Sequence, residues 1–467
     1  MAYTDFIAAI DLGTSHMVGM VGTKNQAGVL SIIACEVENS GTCIKRGCVY
    51  NIEEAAMKIR RLVNKLENKL DGAKIGKLYV GLAGQSLCSI EHSVSKLLGD
   101  DGVVTDELVD SLRQECCKYH SDDMRDVFAA VSPVYYLDNK LVTNPIGTTC
   151  SRIEARYRLI VGRPSLKRNL AQSVERAKLE VAGFVISPLA LADILLTDID
   201  KERGCALVEF GAGVTTLSVY KEGNLVGLSV VPFGGNVITK DIESLHLSEQ
   251  EAERLKRTYG SAISDRTNER AQLTSSIGFG PSVTQKDLNN VVEARIKEIV
   301  ENVYACLERM NVLGTLDSGV IIAGGAANLK RLPDLVKDIF RMDVRYASVR
   351  RDLVENVEWA ANDHIYSVVL SMMIRGSINC AVPVQKPKPQ PVYTEPVVDK
   401  PVVDKPKEEE KQEEASEVKT EVTENGSKDE TSAFDNGRKH KGGKSIWDKF
   451  RKKKDSLMEG LFDDIDM

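Results

Sequence analysis

The sequence predicts an α/β fold made of two related halves that face each other across a cleft, followed by a long tail with no core of its own. Three observations carry this. Short apolar runs alternate with helical patterns up to about residue 381. A strand, acid, glycine, strand pattern occurs twice, about 200 residues apart. From Val382 onward the composition turns first to proline and then to acid.

The chain has 467 residues, 42% hydrophobic and 28% charged, enough for several domains with proper cores. A net charge of -7 argues against nucleic acid as a partner by bulk electrostatics. The ten cysteines form no C-x-x-C pair, which reads as reduced thiols rather than a disulfide framework or a zinc site. The N-terminal "MAYTDFIAAIDLG" lacks a basic region and a long apolar run, so it does not read as a signal peptide. No stretch approaches the roughly 20 apolar residues of a membrane span, so any membrane contact is expected to be peripheral.

Taken in order, "YTDFIAAID" and "MVGMVGT" read as two strands around a tight turn. "IEEAAMKIRRLVNKLENKL" (Ile52–Leu70) has apolar residues at helical spacing. "IGKLYVGLAG" is a strand, and "SLKRNLAQSVERAKLEVAG" a helix ending at Gly183. "CALVEFGAGVTTLSVYKEGNLVGLSVVPFGG" reads as three strands joined by turns. "LNNVVEARIKEIVENVYACLERMNVLG" is a long amphipathic helix closed by Gly314. "GVIIAGGAANLKRLPDLVKDIF" is a strand, a glycine turn and a helix. Between Lys407 and Glu430 stand ten acids and four bases with no apolar pattern. Such a segment cannot bury enough surface to offset its ordering entropy, and it reads as a disordered tether.

The repeated pattern carries the chemistry. "FIAAIDLGTSHMVGMVG" and "CALVEFGAGVTTLSVYKEG" each give an apolar strand, an acid (Asp11; Glu209), one apolar residue, a glycine (Gly13; Gly211) and a second strand. Two such hairpins facing each other would put backbone N–H groups on a phosphate chain. Their acids would hold Mg²⁺ through water, as hard oxygen donors suit that ion. A single apolar-D-x-G turn is more often structural, and the pairing is what makes the signal specific. In "GVIIAGGAANLKRLP", Gly324 and Gly325 close a buried strand. Lacking Cβ, they let the backbone approach a nucleotide, and a following helix N-terminus would favour its charge. The plain alternative is an ordinary strand–helix turn.

Two phosphate loops and an adenosine loop in this order resemble the actin-like ATPase superfamily, with duplicated ribonuclease-H-like domains around a nucleotide cleft. Within it, "VPFGGNVITKDI", "EAERLKRTYG", "NPIG" and "NLAQSVERAKLEVAGFVISPLA" resemble the FtsA family of bacterial cell-division proteins. The resemblance implies a first actin-like subdomain at 1–83 and 163–200. An inserted small subdomain lies at 84–162, for self-assembly and partner contacts. The second half runs over 201–381 with a subdomain at about 236–310, followed by a disordered linker at 382–444 and an amphipathic helix at 445–464. It implies Asp11, Gly13, Thr14 and Ser15 as the first phosphate loop and Glu209, Gly211, Ala212 and Gly213 as the second. Gly234, Gly235 and Asn236 would follow on the inter-domain face, and Gly324, Gly325 and Ala326 would flank the adenosine of ATP. Glu253 and Lys256 would contact ribose and adenine; their spacing puts both on one helical face, where the plain alternative is an exposed ion pair.

The chain departs from the family pattern D-x-G-G-G-T in its second loop, with Glu209, Ala212 and Val214 in place of Asp, Gly and Thr. His16 stands where relatives carry a phosphate-binding lysine. Ser187 stands where superfamily members place a Glu or Gln that orients the attacking water. These departures imply nucleotide binding with at most slow hydrolysis.

In the tail, Ile446, Trp447, Phe450, Leu457, Met458, Leu461 and Phe462 fall on one helical side, flanked by Lys449, Arg451, Lys452, Lys453 and Lys454. This is the make-up of an interfacial helix on an anionic membrane surface. A partner-binding helix and a solvated charge run are the alternatives. The apolar stripe is broken and acids follow it, so stable attachment should need several copies. The resemblance implies a polymerising, ATP-binding protein at the division site, peripheral on the cytoplasmic face of the inner membrane. Its partners would be the C-terminal peptide of FtsZ, docking on the subdomain with the Asn289–Leu313 helix, other division proteins, and itself in a filament. A pilus-assembly actin homologue and a small-molecule kinase of the same fold are the rival readings.

Overall fold

The computed structural model describes residues 5–99, 102–119, 124–264, 271–273, 283–355 and 365–383. The tail helix expected at 445–464, and all but the first two residues of the linker, lie outside them.

β1 (Ile7–Leu12) and β2 (His16–Lys24) form an antiparallel hairpin whose register runs from Ile7↔Gly22 to Leu12↔Met17. β3 (Leu30–Asn39) extends it antiparallel to β2. A two-residue hairpin, β4 (Ile44–Lys45) and β5 (Cys48–Val49), leads into α1 (Ile52–Glu67). Asn51 caps α1 by accepting the Glu54 N–H, and Glu53 and Glu54 complement the helix's positive end. Ala55, Ile59, Leu62, Val63 and Leu66 form its buried stripe. β6 (Lys77–Leu82) then lies parallel to β1.

The next segment builds a separate layer. β7 (Cys88–Leu97), α2 (Asp106–Cys117), β8 (Asp126–Leu137), β9 (Lys140–Val142) and β10 (Arg152–Gly162) give an antiparallel sheet ordered β7-β10-β8-β9. Its own core holds Leu112 and Cys116 of α2 against Ile153, Ala155, Tyr157 and Leu159 of β10. The chain returns through α3 (Pro164–Arg176) to β11 (Glu180–Ile186), parallel to β6. The helix expected to reach Gly183 therefore stops at Arg176. Lys178 takes a left-handed φ of 60°, and the apolar run after it pairs as a buried strand. Periodicity alone does not separate the two for so short a run.

α4 (Ser187–Leu195) and α5 (Asp198–Arg203) lead into the second half. There β12 (Cys205–Phe210), β13 (Thr215–Lys221) and β14 (Asn224–Val231) run antiparallel. α6 (Gly235–Ile242), α7 (Glu249–Tyr259) and α8 (Gln285–Arg309) follow. Thr284 and Asp287 close a capping box at the start of α8. That helix ends before the expected Gly314, because Asn311 turns left-handed at φ 53°. β15 (Val320–Ala323) lies parallel to β12; α9 (Leu332–Phe340), β16 (Val344–Tyr346) and α10 (Ser367–Arg375) complete the described core.

The first sheet is ordered β3-β2-β1-β6-β11 and the second β14-β13-β12-β15-β16. Both have the same path and the same parallel and antiparallel pairings, so the duplication is structural. β1–β2 and β12–β13 occupy equivalent places. α10 packs on α4 and against β1 and β6, returning the chain from the second half to the first. Among the described residues no helix is long and apolar enough to cross a membrane, and all ten cysteines are free thiols.

Candidate nucleotide cleft

The first turn, Gly13 to Ser15, is held from behind by Ser40. The Ser40 hydroxyl donates to the Gly13 carbonyl at 2.6 Å, and its N–H donates to the Ser15 carbonyl at 3.0 Å. Gly13 has to be glycine, since a Cβ there would come 2.7 Å from the His16 carbonyl oxygen. Thr14 accepts the Gly47 N–H at 2.9 Å.

The second turn is held by α6. Gly211 N–H donates to Val214 O at 3.0 Å, Gly235 N–H to Gly211 O at 2.9 Å and Asn236 N–H to Ala212 O at 2.8 Å. Gly234 lies so close that a Cβ would come 2.7 Å from the Ala212 carbonyl oxygen. The two turns touch: a Cβ on Gly213 would come 2.8 Å from the Thr14 Cγ2.

Asp11 pairs with Val18 in β1–β2, and Glu209 with Thr216 in β12–β13, the equivalent place in the duplicated hairpin. Burial pushes the Asp11 carboxyl up to about 6. Burial, with the Asp11 charge adding to it, pushes Glu209 up to about 7. Burial thus works against charge on both carboxyls, and each is poised to hold a proton or, when ionised, to face a cation. Among the described residues no group of three or more His, Cys, Asp or Glu could hold a metal. A cation here would thus take two protein carboxylates, with water and ligand oxygens completing its shell, which fits Mg²⁺.

The third element joins the second turn from the other side. Gly324 has φ 89°, and a Cβ there would lie 2.7 Å from the Phe210 carbonyl carbon. Gly325 faces open space, with nothing within 4 Å of a Cβ position. The expected helix does not follow directly. A single 3-10 turn, Gly325–Asn328, intervenes, and α9 begins only at Leu332, so no α-helix N-terminus sits at this glycine pair.

Lys256 and Glu253 are not a simple exposed pair. The Lys256 ammonium donates to Gly235 O at 3.0 Å and Thr239 Oγ1 at 2.7 Å and pairs with Glu253 at 2.5 Å. Its side chain is only 11% exposed, and burial lowers its pKa. Burial works against the Glu253 charge, but Lys256 and its hydrogen bonds hold the carboxyl below the usual range. A Cβ on Gly235 would lie 3.2 Å from the Ala326 Cβ and 3.5 Å from the Lys256 ammonium. Gly235, Lys256 and Ala326 therefore meet at one point.

The structure thus brings the candidates of both turns, Gly234, Gly235, Glu253, Lys256 and Gly324 to Ala326 together in one place. Ile446, Trp447, Phe450, Lys452, Lys453, Leu457, Leu461 and Phe462 lie outside the described residues. Thr215 does not replace the missing hydroxyl of Val214: it is fully buried and donates to Phe233 O at 2.9 Å. Ser187 opens α4 with a buried hydroxyl that has no partner within the described structure. Sequence reading missed Ser40, Gly47 and Thr239. Only Thr239 left a signal, four residues after Gly235 on the same helical face.

The family model described as "Cell division protein FtsA" matches residues 206–371. The cell division protein FtsA of Porphyromonas gingivalis is 36% identical over 371 residues, 78% of this chain and 77% of that protein. FtsA of Bacillus subtilis is 29% identical over 368 residues, 74% of this chain and 80% of that protein. Among solved structures, the PilM–PilN type IV pilus biogenesis complex aligns with a TM-score of 0.55 at 15% identity, covering 79% of this chain and 98% of that one. That likeness shows the actin-like fold. The chain belongs to the FtsA family of bacterial, actin-like cell-division proteins.

Proposed function

We propose that the cleft binds ATP with Mg²⁺, and that the protein polymerises and tethers the FtsZ ring to the cytoplasmic face of the inner membrane. The observation that carries this is the meeting of the two duplicated turns, Thr14 on Gly213, with Asp11 and Glu209 behind them. The phosphate chain would lie between the turns, opening the contact. Asp11 and Glu209 would hold the hydrated Mg²⁺, which supplies charge neutralisation for the phosphates. The open side of Gly325 leaves room for the nucleoside, and Lys256 fixes the start of α6 beneath it.

Hydrolysis is slow in this reading. Val214 brings no hydroxyl, Thr215 is committed to Phe233, and Ser187 is too short to act as a base. The inserted sheet at 84–162 serves self-assembly and other division proteins. The subdomain at about 236–310, with α8, takes the FtsZ C-terminal peptide. The helix at 445–464 lies on anionic lipid at the end of the 382–444 linker. The FtsA family match favours this reading over the pilus-assembly alternative, whose likeness is one of fold. Sedimentation with anionic liposomes tests it: FtsZ should pellet with the vesicles only when this protein is present, and more of it with ATP. FtsZ remaining in the supernatant throughout would overturn the tether.

A further inference from the structure

The inserted sheet is continuous in chain with the first half alone, through β6 to β7 and β10 to α3. Yet it is bonded to the second half. β14 is the edge strand of the second sheet, and its Leu225 N–H donates to Ser132 Oγ at 2.9 Å while its Leu228 N–H donates to Ser89 Oγ at 2.8 Å. An edge strand's free amides need a cover, and here two hydroxyls supply it instead of a backbone ladder.

Ser132 reaches β14 through a local distortion. The β8–β10 register slips between Arg156↔Val134 and Arg158↔Val131, so Ser132 and Pro133 stand opposite one residue. Ser132 has φ 49°, uncommon for a non-glycine residue and disfavoured before proline. Pro133 has no N–H to lose at such a bulge. Beneath these bonds Leu225 and Leu228 are buried in one core with Ile160, and beside them the surface is open. A cavity of about 280 Å³ is lined by Glu91, Tyr136, Arg156, Arg158, Lys221 and Glu222. Arg158 pairs with Glu91 at 2.8 Å and Arg156 stacks on Tyr136 at 4.5 Å, both on the inserted sheet itself.

We propose that the inserted sheet is a strap across the two halves, tied to β14 by Ser89 and Ser132, and that releasing these ties loosens the contact between the two cleft turns. The ties are polar and few, and open space lies beside them. They edge an apolar seam, in which Leu225 and Leu228 are buried in one core with Ile160 while Ala129 and Val131 pack against it, so they fix how that seam is seated. The packing of α10 on α4 joins the halves in one place and this seam joins them in another, so in this proposal the seating of the inserted sheet and the contact of the cleft turns are linked.

Hydrogen exchange on the full chain without nucleotide tests this, using Ser89→Ala, Ser132→Gly and the double variant. Each tie removed should raise exchange at its own amide, Leu228 or Leu225, by about five- to tenfold. In the double variant, exchange in the cleft turns 13–15 and 211–214 should rise with it, while α9 stays protected. Faster exchange at the seam with unchanged cleft turns would overturn the strap and leave a local edge cover. Unchanged exchange at the seam would overturn the ties themselves. A rise that includes α9 would mark global loss of stability and also count against it. Should the double variant fail to fold, each single variant reports on its own tie.

Discussion

Thr14 of the first turn rests on Gly213 of the second, so close that a Cβ on Gly213 would come 2.8 Å from the Thr14 Cγ2. This contact joins the two halves of the duplicated fold where the proposed phosphates would pass. Gly213→Ala should therefore cost about 1–3 kcal/mol through overpacking. Thr14→Ala in the same chain removes two of the three crowded atoms and should return part of it. Urea unfolding of the single and double variants measures the coupling; strictly additive effects would mean that the turns do not touch.

The paired carboxyls set a pH dependence. Asp11 is raised from 3.8 to about 6 and Glu209 from 4.5 to about 7. The folded state holds these protons more tightly than the unfolded one, so the groups favour folding at low pH. That stability falls as pH rises from about 4 through 7. Glu209→Gln should flatten the fall, and Mg²⁺ should recover stability above pH 7. Thermal unfolding of nucleotide-free protein across this range is the check, with an unchanged slope in Glu209→Gln as the contrary result.

Turnover should be slow. Thr215 is bound to Phe233, and the Ser187 hydroxyl is buried at the start of α4. Phosphate release well below about 1 s⁻¹ is expected; a rate at or above it would mean that another group positions the water.

The tail should act independently of the core. A chain ending before Ser445 should keep its unfolding midpoint and leave the liposome pellet. Trp447→Glu with Phe450→Glu should do the same by removing apolar insertion and adding repulsion. Neutralising Lys452 to Lys454 should weaken pelleting less as salt rises, because screening already removes that part. If the Glu pair still pellets, a partner-binding helix takes the anchor's place.

The duplicated hairpins were legible because an acid, one apolar residue and a glycine must recur at fixed spacing to make such a turn. Ser40 and Gly47 were not, since they reach the first turn from elsewhere in the chain and belong to no local pattern. Glu180 to Gly183 read as the end of a helix, and they prove to be strand because Lys178 turns left-handed and ends the helical path before them. Glu253 and Lys256 read as ribose and adenine contacts, with an exposed ion pair as the plain alternative; that Lys256 also holds the start of α6 shows only when Thr239 and Gly235 O are placed beside it.

The most direct test of the cleft uses the difference between its two neighbouring glycines. Gly324 is left-handed and pressed on Phe210, so any substitution there damages the fold, whereas Gly325 faces open space. Gly325→Asp should fold with an unchanged unfolding midpoint, while its carboxylate crowds and repels the nucleotide. Titration calorimetry with Mg-ATP should show binding to the native protein and at least a tenfold loss in the variant, about 1.4 kcal/mol. Equal affinity in the two proteins would contradict the assignment of this cleft as the nucleotide site.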